Sequence, residues 1–543
     1  MSRLAVAGLA MLAAASGLGN GFVYDDVPII LQNPLVHHLA LPGRIWGSAY
    51  WPAGLLYRPI TSQLFAFQWV VGGGRPVVFH AASLLLMALV ALLFWRLASR
   101  LLPPVPALSA AALFAVHPVH VEAVGNVVGQ AELLAALFSL LAVDRYIAWR
   151  TDGALGPARR TGLAALTLLA ILSKETGYMV PLLLVGAELI VVRGGKPRSK
   201  PLGLAPVFLL QIAVVLSAVL LRIAVLGPTP AAGPALVLQP LTPAERIVGM
   251  LAVVPQWIRL LFWPAHLQAE YGPPALTVGG VPGSAHLLGG LILLSGLALL
   301  LWTWRRAPAI AFGLAWTTIA LLPVSNILTV TAVVLAERTL FLPSVGAMLA
   351  VGGVLGLLMG RLEATGRLGA RVAVVATVAA LVLAGAIRSA RRQPVWRSEA
   401  DFFPRLEIDG PRTYRGHLIA SVFYSRAGRY ADAERAARRG LALYQGDPQL
   451  YEQLGQVLRV QKRCGEAIPV LADGVRRFPD RTVARARLVE CALAVGDSAR
   501  AITIAEEAVR LGQPEFGRTV RRLRGDSIRD GIPETPPPQS LRP

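Results

Sequence analysis

Along the first 388 positions apolar residues gather in long blocks, and after them the chain turns more polar. Eleven blocks stand out, at 4–19, 78–98, 106–122, 131–149, 161–174, 179–193, 203–226, 286–303, 308–324, 341–360 and 370–388. A helix that crosses a bilayer needs about 20 predominantly apolar residues. The pattern therefore predicts an all-α chain with a polytopic membrane domain of about eleven spans over 1–388. A linker at 389–411, a helical repeat domain at 412–513 and an extension at 514–543 with a disordered end complete the expectation. The first block reads as a retained anchor, because Gly17-Leu18-Gly19-Asn20 lacks a clean small-x-small cleavage site. The stretch 245–263 holds Pro255, Trp257, Arg259 and a closing Phe262-Trp263-Pro264, which predict an outer interfacial or re-entrant helix.

The polar part repeats. Ala427–Ala433 aligns with Gln461–Ala467 and again with Val495–Ala501, and Gly440 and Gly474 keep the same 34-residue register. That period, with small residues where paired helices cross, is the tetratricopeptide pattern, and about three repeats fit. Such a stack serves either as a spacer or as a groove for a peptide or protein ligand. Cys464 and Cys491 fall in adjacent repeats and are expected as small buried side chains rather than a bridge.

Composition sharpens the membrane reading. The chain is 55% hydrophobic and 15% charged, whereas soluble proteins are about 25% charged. Its net charge of +21 raises nucleic acid as a partner. The basic residues of the first part, however, sit mainly in alternate short loops: Arg96 and Arg100, Arg150 to Arg160, Arg193 to Lys200, Arg305 and Arg306, Arg361 to Arg371. Membrane orientation explains this better than nucleic acid, which is not expected as a partner. The N-terminus is then cytoplasmic and the repeats lie on the outer, periplasmic or luminal, side of what reads as a bacterial inner membrane.

Five polar clusters fall on the outer side, where ionisable groups at membrane depth mark function. They are Tyr24-Asp25-Asp26; Tyr57-Arg58-Pro59; His117-Pro118-Val119-His120-Val121-Glu122 with Gly129-Gln130-Ala131-Glu132; Ser173-Lys174-Glu175; and Glu337-Arg338-Thr339. Either aspartate suits a general base, or the pair forms a helix-ending turn. Arg58, Lys174 and Arg338 suit a phosphate, with snorkelling or local ion pairs as the plainer readings. His117, His120 and Glu122 include metal-ligand types, but Pro118 distorts the register and no third ligand is evident. Hydrogen bonding to a polar substrate fits them better, so no cofactor is required and no metal ligand is assigned.

With these residues assembled, the chain resembles the transmembrane-and-tetratricopeptide-repeat O-mannosyltransferases and their bacterial relatives, which are glycosyltransferases of the GT-C fold. The resemblance is carried by Phe22-Val23-Tyr24-Asp25-Asp26, Tyr57–Ser62, Phe79-His80, His117–Glu122, Ser173–Glu175, Leu261–Pro264, Ala336–Pro343 and Val395–Glu399. It departs from the family pattern at Gln130, where arginine is usual, at Thr339, where tyrosine is usual, and at Glu270 in place of aspartate. The resemblance implies transfer of a sugar, mannose by extrapolation, from a polyprenyl-phosphate donor to a protein or glycan acceptor at the outer face, with membrane lipid as a further partner. It places the catalytic acid at Asp25 or Asp26. Arg338, Lys174 and Arg58 would hold the donor phosphate. Tyr24, His117, His120, Glu122, Glu132, Glu175 and Glu337 would shape the sugar and acceptor pocket. A membrane-anchored scaffold that recruits envelope proteins is the competing class.

Overall fold

The computed structural model describes residues 2–39, 42–52, 54, 56–153, 155–194, 204–228, 235–276, 278–279 and 282–524. The Pro-rich end expected to be disordered lies outside them. The chain divides into two compact units, 1–412 and 413–543. Among the described residues both are helical, and Tyr271 and Leu335 form an isolated antiparallel β bridge.

In the first unit the helices used below are α1 (Ser2–Ala14), α2 (Pro59–Gly72), α3 (Pro76–Leu101), α4 (Pro104–Ala115), α5 (Gln130–Thr151) and α6 (Pro157–Ser173). They are followed by α7 (Leu204–Leu226), α8 (Pro243–Leu251), α9 (Val254–Phe262), α10 (Ser284–Thr303), α11 (Pro308–Leu321), α12 (Phe341–Ala364) and α13 (Leu368–Arg392). Proline stands at the first helical position of many of them, where its missing N–H costs no bond.

The count of spans differs from the eleven expected. Among the described residues seven helices are long and apolar enough to cross a membrane, or eight if Pro104–Ala115 and Pro118–Gly125, bent by 43°, form one span. The other three blocks are helical but shorter: Arg3–Gly19, Pro308–Val324 and the 17-residue α6. At 1.5 Å per residue a helix of 17 residues reaches about 25 Å, less than a hydrocarbon core of about 30 Å. Apolar runs show where helices form, but prolines and glycines at their ends set how far each helix extends. The stretch 245–263 folds as α8 and α9, nine residues each, with Trp263 70% exposed beyond them.

Burial sorts the long helices. The span that contains α5 is 83% buried within the protein, whereas those of α7 and α10 are only 17% and 11% buried. So α5 is the central post, and α7 and α10 present apolar faces outward. The helices α11 and α12 approach closely. A Cβ on Gly346 would lie 2.4 Å from the Gly313 carbonyl oxygen, so only glycine allows these backbones to meet.

The second unit is a run of paired helices, α14 (Tyr414–Arg426), α15 (Tyr430–Leu443), α16 (Pro448–Val460), α17 (Cys464–Arg477), α18 (Thr482–Ala494) and α19 (Ser498–Arg510). The first helices of each pair begin at 414, 448 and 482 and the second at 430, 464 and 498, always 34 residues apart. Gly440 approaches His417, and Gly474 approaches Tyr451, one period later in both partners. A small residue at this place lets the two helices of a pair cross closely.

Candidate active site

The first unit brings the charged members of all five clusters to one end of its helices. Chain direction alternates, so the end of α1, the start of α2, the turn after α4, the start of α5, the end of α6 and the start of α12 share that end.

Asp25 sits on a sharp turn. Tyr24 has φ +58°, a strained region for a side chain of its size. Its ring packs on Phe402 and Phe403, with centroids 5.2 and 6.3 Å away. The turn sends the two aspartates in opposite directions. Asp26 is 1% exposed and receives three backbone N–H bonds, from Val23 (3.4 Å), Val127 (3.2 Å) and Val128 (2.8 Å). Burial pushes its carboxyl up to about 7, against the opposing pull of those N–H groups. Asp26 thus clamps the first loop to the 127–128 turn, and both its oxygens are engaged. Asp25 keeps 17% of its side chain exposed, and its Oδ2 lies 3.3 Å from Arg338 Nη1.

Arg338 is the hub. The same Nη1 lies 3.1 Å from Glu122 Oε1, and the Arg338 backbone N–H donates to Glu122 Oε2 at 2.9 Å. Glu122 is placed by the short helix Val121–Gly125, and Arg338 by the turn Glu337–Leu340 that leads into α12. Two further ion pairs flank the hub. Lys174, at the end of α6, pairs with Glu132 in the first turn of α5. Arg58 makes a two-pronged contact with Glu175, Nε to Oε1 at 3.1 Å and Nη2 to Oε2 at 2.6 Å. Thr61 Oγ1 donates to the Ser173 carbonyl at 2.9 Å, fixing the start of α2 on the end of α6. Lys174 is within electrostatic reach of both Arg58 and Arg338, so the three cations form one field.

The remaining sequence candidates bond to other partners. His117 Nε2 lies 3.0 Å from the Leu261 carbonyl oxygen, and His120 Nε2 lies 2.8 Å from Ser344 Oγ. The His120 ring packs against Phe114 and Phe341. Both histidines are buried joints between helices. Among the described residues no group of three or more His, Cys, Asp or Glu side chains has the arrangement to hold a metal ion. Glu337 turns away from Arg338 and accepts from Tyr271 Oη and the Gln268 N–H, each at 2.5 Å. Gln130, at the position where the family pattern has arginine, is fully buried and bonds Gln68, Ser83 and the Phe79 carbonyl.

Sequence reasoning missed Tyr50. The Arg58 guanidinium lies 4.9 Å from the centre of the Tyr50 ring, a cation–π contact that orients it. Tyr50 belongs to no motif. Its only signal is an aromatic residue in a long polar connection between apolar runs.

Comparison with known proteins finds sequence relatives among the protein O-mannosyl-transferases. No family model matches the chain. It is 34% identical over 285 residues to the protein O-mannosyl-transferase Tmtc2 of Drosophila melanogaster, covering 49% of this chain and 30% of that one. With the protein O-mannosyl-transferase TMTC3 of Homo sapiens it shares 27% over 369 residues, 60% of this chain and 39% of that one. With Tmtc1 of Drosophila melanogaster it shares 27% over 529 residues, 80% of this chain and 60% of that one. The chain therefore spans about a third to three fifths of the length of these relatives. Among solved structures, the oligosaccharyltransferase of Archaeoglobus fulgidus aligns with 81% of this chain and 59% of that one, at 13% identity and a TM-score of 0.41. The chain is thus a helical protein with candidate membrane spans, similar in sequence to the protein O-mannosyltransferases.

Proposed function

We propose that the chain is a GT-C-type membrane glycosyltransferase that moves a sugar, with mannose as the first candidate, from a polyprenyl-phosphate donor to a hydroxyl of a protein or glycan. The observation that carries this reading is the Asp25–Arg338–Glu122 contact, a half-buried carboxylate beside an arginine held by a buried one. Asp25 takes the proton of the acceptor hydroxyl as its oxygen attacks the anomeric carbon. The bond from that carbon to the phosphate oxygen breaks on the opposite face, so the configuration inverts. The phosphate leaves already charged, and the fork of Arg338 stabilises it with Lys174 and Arg58 nearby.

The resting charges add a feature to this scheme. Arg58, Lys174 and Arg338 face Asp25, Glu122, Glu132 and Glu175, three cations against four carboxylates. A donor phosphate gains Arg338 by competing with one of its carboxylates. Competition with Asp25, the more exposed partner, frees the base as the donor arrives.

The outer face is the proposed side of the reaction. At the other end of the same helices, buried Asp144 is ringed by Arg96, Arg100 and Arg145, and buried Glu188 by Arg150 and Arg193. This excess of arginine supports reading that end as the cytoplasmic one. The 34-residue helix pairs read as tetratricopeptide repeats, which would offer a groove to the acceptor protein or to a partner.

Donor binding tests the reading. With purified protein and an isotope-labelled polyprenyl-phosphate sugar, affinity should fall in the order wild type, Arg338→Lys, Arg338→Ala. The alanine loss should be on the order of 2 kcal/mol, as for a charge-assisted contact. Unchanged donor affinity in both variants removes Arg338 from the phosphate site and with it this mechanism.

A further inference from the structure

We propose that Cys464 and Cys491 form a covalent cross-linking site, closed to a disulfide between α17 and α18 in the mature protein. The sequence contains only these two cysteines. Cys464 opens α17 and Cys491 lies in the last turn of α18, so the tight antiparallel connection between the helices brings their outer ends together. The Sγ atoms are 2.6 Å apart, far inside the contact distance of two non-bonded sulfurs. Both side chains lie in the apolar core of the second unit, 6% and 0% exposed, among Leu458, Leu488 and Ala492. One repeat earlier the equivalent positions are Tyr430 and Val457, so the thiol pair is particular to this helix pair.

The oxidant is a thiol oxidoreductase carrying a disulfide. The thiolate of one cysteine attacks that disulfide, one catalyst sulfur leaves as thiolate, and a mixed disulfide forms. The second cysteine, as thiolate, attacks the mixed disulfide at the first cysteine's sulfur. The catalyst departs with both sulfurs reduced; it gains two electrons, and the two protons lost by the cysteines protonate its thiolates. Burial pushes the folded Cys491 thiol up to about 12, which suppresses its thiolate. Exchange therefore takes place before α17 and α18 close, and the folded core then shields the bond. Such catalysts act outside the cytoplasm, so closure in the cell rests on the outward placement of the second unit.

The test uses the full chain. Membranes are solubilised in denaturant with an alkylating reagent and no reductant, and the intact mass is measured. The expected result is a protein that takes up no alkyl group until it is reduced and two afterwards, with the Cys464 and Cys491 peptides linked. A second arm takes reduced, unfolded protein through refolding with oxidised glutathione. Two free thiols in membranes but a linked pair after refolding would uphold the pairing and overturn the outward placement. Two free thiols in both arms would overturn the proposal.

Discussion

Two adjacent aspartates with the same chemistry do different work because of what each one meets. Asp26 meets three backbone N–H groups, and Asp25 meets water and Arg338. Asp26→Asn replaces one acceptor oxygen with a donor and leaves N–H groups unpaired, a loss of about 1–3 kcal/mol. Thermal unfolding of the purified variant should show that loss, whereas Asp25→Asn should unfold like wild type. Asp26 also gives a pH signature. Its folded value of about 7 stands above the ordinary aspartate value of 3.8, so the folded state holds the extra proton between these limits. Linkage then makes the contribution of this group to stability largest below about pH 4 and progressively lost as pH rises to about 7. The difference in unfolding temperature between wild type and Asp26→Asn should change across that window and stay level above it. The sequence showed that this pair, Arg58, Lys174 and Arg338 were the residues to watch, since each is an ionisable group beside an apolar run. Which carboxylate meets which cation was not legible: Lys174 pairs with Glu132 rather than its neighbour Glu175, and Arg338 turns from Glu337 to Glu122. Those choices depend on contacts between segments as many as 216 positions apart.

At the scale of elements, the site depends on how closely helices approach behind it. Arg338 is carried by the turn that opens α12, and α12 is seated on α11 through Gly313 and Gly346. A methyl group at Gly346 would meet the Gly313 carbonyl oxygen at 2.4 Å and the Thr317 backbone nitrogen at 2.6 Å, neither of which can rotate away. Gly346→Ala should therefore cost about 1–3 kcal/mol by overpacking and lower donor affinity through displacement of Arg338. Gly360→Ala is the control, because the same methyl later in α12 meets nothing within 4 Å. Thermal unfolding in detergent compares the two, and equal behaviour would show that the α11–α12 contact has room to spare. Helix positions were readable from apolar blocks, since every expected block is helical. Span count was less readable, because α6 and α11 are apolar by composition yet stop short at their terminal prolines and turns.

For the whole molecule the decisive property is the side of the membrane on which the charged end of the first unit stands. On the proposed topology the end with Asp25 stands outside, together with residue 412. A reporter active only outside the cytoplasm, fused after Arg412, should be active, and a silent but stable fusion would reverse the topology. The 34-residue period of the second unit was the most legible large feature, since it requires only comparison of the chain with itself, and helix starts at 414, 448 and 482 keep that interval. The ligand of that unit is not written in its period, because the period records helix packing and not surface chemistry. The central claim is that Asp25 is the base of a sugar transfer. Its most direct test measures donor affinity and turnover together for Asp25→Asn, with purified protein, labelled polyprenyl-phosphate sugar and an acceptor polypeptide. Loss of the general base should lower turnover by about 10²–10⁴-fold. Donor affinity should be retained or increased, because Arg338 loses a competing carboxylate. Near-normal turnover in a variant that binds donor would contradict the account.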